Sequence, residues 1–143
     1  MAKYSDARNV QLVIALLKKY GIRNVIASPG TTNVPFVYSV QNDSFFRVRS
    51  AFDERSAAYM ACGLAGESGE PVVLSCTGAT ASRDYMPGLT EAFYRKLPVL
   101  ALTSMHFTED IGNLSTQILD RSVIPNDIAR YHTSLEMIEN ERM

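Results

Sequence analysis

The 143-residue sequence is short of the residues that most often announce chemistry. It holds two cysteines, two histidines and no cationic run longer than Lys18-Lys19. Cys62 and Cys76 sit in apolar stretches, with neither C-x-x-C nor Cys/His spacing. They predict buried thiols in a reducing, cytoplasmic setting rather than a disulfide or a metal site. His106 and His132 have no partner at metal-ligand spacing, and His106 is read as a loop residue. A formal net charge of −1, with no basic block, offers no surface for nucleic acid or an anionic membrane. No apolar run approaches the length of a bilayer span. The start, MAKYSDARNV, lacks the apolar middle of a signal peptide. Repeats, low-complexity tracts and linkers are missing too.

What is present is enough apolar sequence for a core: 46% of residues are hydrophobic and 20% charged. This suits one domain over residues 1–143. The pattern alternates. SDARNVQLVIALLKKYG places Val10, Val13, Ile14, Leu16 and Leu17 at helical spacing, with Ser5 or Asp6 as cap and Gly21 as stop. RNVIAS (23–28) is a short β-branched run. TTNVPFVYSVQN reads as a helix, with Pro35 in its first turn. Strands are predicted at 44–50, 71–77 and 97–104, and helices at 53–67 and 80–95. Beyond Met105, residues 106–120 predict a loop with a short helix. Residues 124–143 predict a helix start, a strand and a second helix start. Strands alternating with helices of this length imply a doubly wound α/β fold, with a mostly parallel sheet covered on both faces.

In such sheets, ligands gather where strand C-termini meet helix N-termini. Three loops fall at that edge: SPGTTN (28–33), AFDERS (51–56) and SCTGATASRD (75–84). Their residues also have plain structural readings. Asp53 suits an N-cap, Arg55 a surface position or an ion-pair partner, and Pro29-Gly30 and Thr77-Gly78 tight turns. Gly63 and Gly66 suit close helix packing, and Tyr59, Met60 and Met86 suit the core. Glu54 alone reads as a solvated first-turn residue.

Taken in order, these stretches resemble the pyrimidine-binding (PYR) domain of thiamine-diphosphate-dependent 2-oxo acid decarboxylases and synthases. That family includes acetolactate synthase, pyruvate decarboxylase, benzoylformate decarboxylase and the menaquinone-pathway synthase. GIRNVIASPGTTNVPF is similar to the family's opening strand and Pro-Gly turn. FDERSAAYMACGLAGESGEPVVLSCTG is similar to its glutamate-bearing helix, Gly-Pro strand and Thr/Ser-Gly loop. LTEAFYRKLPVLALTS and STQILD follow in family order. The resemblance covers most of residues 8–131.

It implies a thiamine diphosphate cofactor and a catalytic role for Glu54, whose counterpart hydrogen-bonds N1′ of the aminopyrimidine and promotes loss of the C2 proton. A carboxyl group suits that task because it can give or take one proton. Pro29, Gly30, Thr77 and Gly78 become cofactor-binding candidates, and Thr31, Thr32 and Gln117 substrate candidates. The implied reaction is decarboxylation or carboligation of a small 2-oxo acid, within a homodimer or a hetero-oligomer.

The chain also departs from the family. It is one residue longer between Gly78 and Ala92, with Arg83 and Asp84 near the usual Asn. Thr31-Thr32 stand where the menaquinone-pathway enzyme has Ser-Arg. The Gly-Asp-Gly motif, through which a separate PP domain holds Mg²⁺ and diphosphate, is absent. A PYR domain incomplete at its C-terminus is therefore expected, either a fragment or a split subunit. It would need a PP domain or subunit and be inactive alone, with Mg²⁺ only on that partner. Two other readings stay open. One is a non-catalytic assembly or regulatory module of the same fold, against which Glu54 counts. The other is a flavodoxin-like or Rossmann nucleotide-binding domain, against which the lack of GxGxxG counts.

Overall fold

The computed structural model describes residues 4–105, 110–113 and 123–135. Helix α1 spans Arg8–Lys19 and buries Ile14 and Leu17. Val10 and Val13 pack beside them, whereas Leu16 of the same apolar stripe turns outward, 43% exposed. The expected side-chain cap does not form. Ala7 is the N-cap, because Ser5 turns away: its Oγ accepts from Ala7 N at 3.2 Å, and its own N–H donates to Ser39 Oγ at 2.9 Å. After α1, Gly21 takes φ 70° and turns the chain into the first strand.

Strand β1 (Asn24–Ala27) is buried along its whole length. A single 3-10 turn, Thr31–Asn33, leads into α2 (Val34–Gln41), where Pro35 sits in the first turn, needing no N–H partner. Strand β2 (Arg47–Ser50) is a short, exposed edge. Phe46, just before it, is buried edge-to-face with Phe45. Helix α3 (Glu54–Ser68), strand β3 (Val72–Thr77), helices α4 (Ala79–Asp84) and α5 (Met86–Arg95), and strand β4 (Val99–Ser104) complete the described elements.

The predicted single helix over 80–95 is thus two helices meeting at Tyr85. Pro87 gives the reason: a ring there clashes with the carbonyl four residues back, at Arg83, and removes that hydrogen bond. Residues 123–135 contain neither helix nor strand, which corrects the expectation for that stretch. Positions 106–109, 114–122 and 136–143, with His106, Gln117 and STQILD, lie outside the described residues.

All neighbouring strands pair in parallel in the order β2-β1-β3-β4. One face of the sheet packs Val25, Ala27 and Val73 against α1 and α2. The other packs Ile26, Val72, Leu74 and Cys76 against Ala57, Ala58, Ala61 and Ala65 of α3, with Tyr85 alongside. This is the doubly wound α/β architecture.

The small residues of α3 allow a close crossing with α5, but not where expected. A Cβ on Gly63 would meet nothing within 4 Å, and one on Gly66 only ordinary contacts. At Gly88 it would fall 2.4 Å from Ala58 Cβ, so Gly88 is the residue that lets α5 lie on α3. Tyr59 and Met60 belong to the outer face of α3, 49% and 40% exposed, not to the core. Met86 is half-buried. Cys62 and Cys76 are buried thiols, and Cys62 Sγ donates to Gly88 O at 3.2 Å.

Candidate functional site at the strand C-terminal edge

The strand order reverses beside β1: β2 lies on one side of it, β3 and β4 on the other. Crevices form outside the C-terminal ends of strands at such a point. All three candidate loops meet there. Ser28 N donates to Ser75 O at 2.8 Å, and Ala51 N to Ala27 O at 2.9 Å, which carries the strand pairing past its formal end and into the loops.

The first loop is folded by Asn33, a residue the sequence reading passed over. It is fully buried. Its Oδ1 accepts from Gly30 N at 2.8 Å, while Nδ2 donates to Ser28 O and to Ser75 Oγ, both at 3.2 Å. An asparagine three residues beyond a loop glycine was the available signal, because its amide can close such a turn on itself. Pro29 is exposed at the loop tip and Gly30 is half-buried. Gly30 is needed for proximity rather than for dihedral freedom. A Cβ there would fall 2.6 Å from Thr77 Cγ2 and 2.9 Å from Thr77 Cβ.

Thr32 locks the first loop to the third. Its hydroxyl is hydrogen-bonded to the Thr77 hydroxyl, donates to Ser104 O at 2.6 Å and accepts from Gly78 N at 3.4 Å. One side chain therefore ties the ends of β1, β3 and β4. Its single proton and its lone pairs are spent inside the protein. Thr31, its neighbour, is exposed.

The middle loop divides the labour between two adjacent carboxylates. Asp53 is the N-cap of α3: Oδ1 accepts from Ser56 N at 2.8 Å and Oδ2 from Ser56 Oγ at 2.7 Å. These bonds hold the Asp53 carboxyl below its ordinary range. Glu54 is thereby released from capping. It is the first residue of α3, half-buried, and among the described residues nothing hydrogen-bonds its carboxyl group. Phe52, just before, is wholly exposed, and Arg55 is exposed.

Two buried hydroxyls lie nearby in sequence order, one just after β1 and one between α4 and α5. Ser28 and Tyr85 are 3% and 1% exposed, and neither Ser28 Oγ nor Tyr85 OH makes a hydrogen bond of ordinary geometry. Burial pushes the Tyr85 phenol far above its usual range; the neighbouring Cys76 and the negative charge of Glu54 push the same way, and the Ser28 hydroxyl partly opposes them.

The structure thus brings Pro29, Gly30, Thr31, Thr32, Glu54, Thr77 and Gly78 to one edge, while Gln117 lies outside the described residues. The arrangement offers a half-buried carboxylate with no hydrogen bond among the described residues, at a helix N-terminus, beside closely packed loop backbone.

Comparison with known proteins points the same way. Residues 8–124 match the family described as "Thiamine pyrophosphate enzyme, N-terminal TPP binding domain". A protein of Bacteroides thetaiotaomicron named 2-succinyl-5-enolpyruvyl-6-hydroxy-3-cyclohexene-1-carboxylate synthase is 32% identical over 96% of this chain and 25% of its own length. The protein of that name from Porphyromonas gingivalis is 43% identical over 71% of this chain and 18% of its own. The chain therefore spans about a quarter of the length of such relatives. Among solved structures, 4-hydroxybenzoylformate decarboxylase of Rhodococcus jostii RHA1 superposes with a TM-score of 0.70 at 22% identity, over 78% of this chain and 21% of that one. Benzoylformate decarboxylase of Polynucleobacter necessarius gives 0.66 at 23%, over 76% and 20%. At such identities these two report the fold alone.

Proposed function

The chain belongs to the thiamine pyrophosphate enzymes, as their N-terminal TPP-binding domain, and from that membership we propose that it supplies the pyrimidine-binding half of a site that acts on a 2-oxo acid by decarboxylation or carboligation. The observation that carries this reading is Glu54: a half-buried carboxylate at the sheet's ligand edge, with capping left to Asp53 and, among the described residues, no hydrogen bond to its carboxyl group.

The residues fit the group. Gly30 packs on Thr77 with no room for a Cβ between them, which draws the first and third loops together at this edge. Among the described residues, the buried Ser28 and Tyr85 hydroxyls make no hydrogen bond of ordinary geometry. Pro29, Gly30, Thr77 and Gly78 would border the aminopyrimidine, and Glu54 would hydrogen-bond N1′.

When bound, thiamine diphosphate supplies the carbanion-stabilising chemistry. Glu54 gives and takes the proton at N1′. Thr32 acts as a rigid tie, because its hydroxyl is already engaged. That leaves the exposed Thr31, with Gln117, as the residues we assign to the substrate side. Neither 31 nor 32 is a cation, which favours a substrate that needs no charge pairing at that point.

Among the described residues, no group of three His, Cys, Asp or Glu is arranged to hold a metal ion. We assign Mg²⁺ and the diphosphate to a PP domain or subunit, docked at this edge. We assign the outer faces of α3 and α5, where Tyr59, Met60 and Tyr94 are exposed, to self-association.

The test is Glu54→Gln in the complete enzyme with its PP partner. Cofactor affinity by calorimetry should fall by about tenfold or less, because one charge-assisted hydrogen bond is lost. The rate of C2–H exchange of bound thiamine diphosphate, followed by NMR, should fall by about 10²–10⁴. Exchange at the wild-type rate would leave Glu54 an ordinary helix-start residue and remove the basis of the reading.

A further inference from the structure

Asn33 forgoes the task that its type and place suggest. It stands at the N-cap of α2, where an asparagine amide ordinarily accepts from the N–H groups of its own helix, yet it makes no side-chain cap bond there. Its amide turns back into the first loop instead. Oδ1 accepts from Gly30 N at 2.8 Å, and Nδ2 donates to Ser28 O and to Ser75 Oγ, both at 3.2 Å. Both amide protons and the oxygen are thus used on groups at the strand C-terminal edge.

The two loop groups that it holds flank one residue. Ser28 O belongs to the peptide before Pro29, and Gly30 N to the peptide after it. One side chain therefore fixes both peptide planes around Pro29. Its bond to Ser75 Oγ anchors them to β3, on the seam where Ser28 N also donates to Ser75 O at 2.8 Å. Gly30 is the residue with no room for a Cβ against Thr77, so the point at which its N–H is held decides how closely the first and third loops meet. Asn33 itself is fully buried and acts only through these neighbours.

We propose that Asn33 is a positioning residue for the site: its amide clamps the Pro29-Gly30 backbone against Thr77 and so places the loop edge that the aminopyrimidine would border. A polar group that loses its partner in a buried setting is costly. Without the amide, Ser28 O and Gly30 N must find water or a different turn, and the first loop draws away from Thr77. The inference rests on the proposed thiamine diphosphate site, yet its first test needs no cofactor.

In the complete, ligand-free enzyme, hydrogen exchange over residues 28–34 is followed by mass spectrometry, resolved at the Gly30 amide. Asn33→Ala should speed exchange of that amide by about tenfold, the worth of one hydrogen bond. Ser75→Ala, which removes the anchor on β3 and keeps Asn33, should give a smaller rise of the same sign. A Gly30 amide unchanged in both variants overturns the clamp. Should Asn33→Ala fail to fold, Ser75→Ala alone decides the point.

The second measurement separates positioning from stability alone. Ser39, further along α2, is also fully buried; its Oγ donates to Pro35 O at 2.7 Å and accepts from Ser5 N at 2.9 Å. Ser39→Ala therefore weakens the same helix without touching the loop. In the complete enzyme with its PP partner, Asn33→Ala should lower thiamine diphosphate affinity by about tenfold. C2–H exchange at saturating cofactor should fall by a similar factor, because a displaced loop edge no longer holds the ring against Glu54. Ser39→Ala should leave both within about twofold. A lower melting temperature in both variants, with affinity and saturated exchange at wild-type values, would show a purely structural asparagine and overturn the proposal. A wild type that binds no thiamine diphosphate sinks the functional reading and this inference with it; normal binding and exchange untouched by Asn33→Ala sink this inference alone.

Discussion

Replacing Gly30 by alanine adds one methyl group where the structure has no space. Gly30 is extended, φ −157° and ψ 175°, a conformation any residue adopts, so backbone strain is no part of the effect. The new Cβ would stand 2.6 Å from Thr77 Cγ2 and 2.9 Å from Thr77 Cβ, where carbon atoms pack at about 3.5–4.0 Å. One side must give by roughly 1 Å. Thr77 is poorly placed to yield, because its hydroxyl is bonded to Thr32, which is itself held by Ser104 O. Overpacking of this kind costs about 1–3 kcal/mol. Loss of glycine's freedom in the unfolded chain returns about 0.4–1 kcal/mol. The net expectation is destabilisation by about 1–2 kcal/mol.

The assay is urea unfolding followed by circular dichroism, with the midpoint lowered at unchanged slope. Thr77→Ser in the same background removes Cγ2, the nearest atom, and retains the hydroxyl of the tie. It should recover about half the loss, giving a coupling of at least about 0.5 kcal/mol. Gly30→Ala as stable as wild type, or no recovery on adding Thr77→Ser, would refute the close packing on which this account of the first loop depends. Cofactor affinity in the complete enzyme should fall in the single variant and partly return in the double.

Thr32→Val keeps the shape of the side chain and removes its hydroxyl, leaving Gly78 N and Ser104 O without that partner; calorimetry should show cofactor affinity reduced about tenfold, and Thr32→Ser should restore most of it. Gly88→Ala should destabilise by about 1–3 kcal/mol in the same urea assay, since its Cβ would meet Ala58 Cβ at 2.4 Å and backbone carbon at 3.0 Å, and adding Ala58→Gly should relieve the clash. Asp43 gives a pH dependence. Burial alone would raise its carboxyl, but hydrogen bonds from Lys18, Tyr4 and the Phe45 N–H outweigh it and bring the group to about 2. A carboxyl depressed on folding lends stability above its unfolded value of about 3.9 and loses it as pH falls from there toward 2. Lys18 is 39% exposed, so the contribution is about 1 kcal/mol. Stability against pH, measured for wild type and Asp43→Asn, should converge at acid pH and part above pH 4.

The alternation of strands and helices was legible because period and composition are local. A β-branched run such as 24–27 can be buried on both faces without knowledge of its neighbours, and Asp53 capping through Ser56 needs only three residues of separation. Placing Glu54 at the ligand edge follows from the same local facts, because a helix that begins just after a strand must begin at that strand's C-terminal end. Contacts between distant segments were another matter. Thr32 reaches Thr77, 45 residues away, and Ser104, 72 residues away, and the order β2-β1-β3-β4 that brings them together is written in no single stretch. The same holds for Gly88 as the close-packing glycine in place of Gly63 and Gly66, and for Tyr59 and Met60 turning outward. Each depends on which face of α3 the sheet and α5 take, and amphipathic pattern is faint in a helix this rich in alanine and glycine. Sequence alone therefore determined which segments form elements and which edge gathers the candidate loops. The tertiary structure decided which hydroxyls are spent on ties between loops and which of two adjacent carboxylates caps α3, because hydrogen-bond partners are set by distances that only the assembled sheet creates.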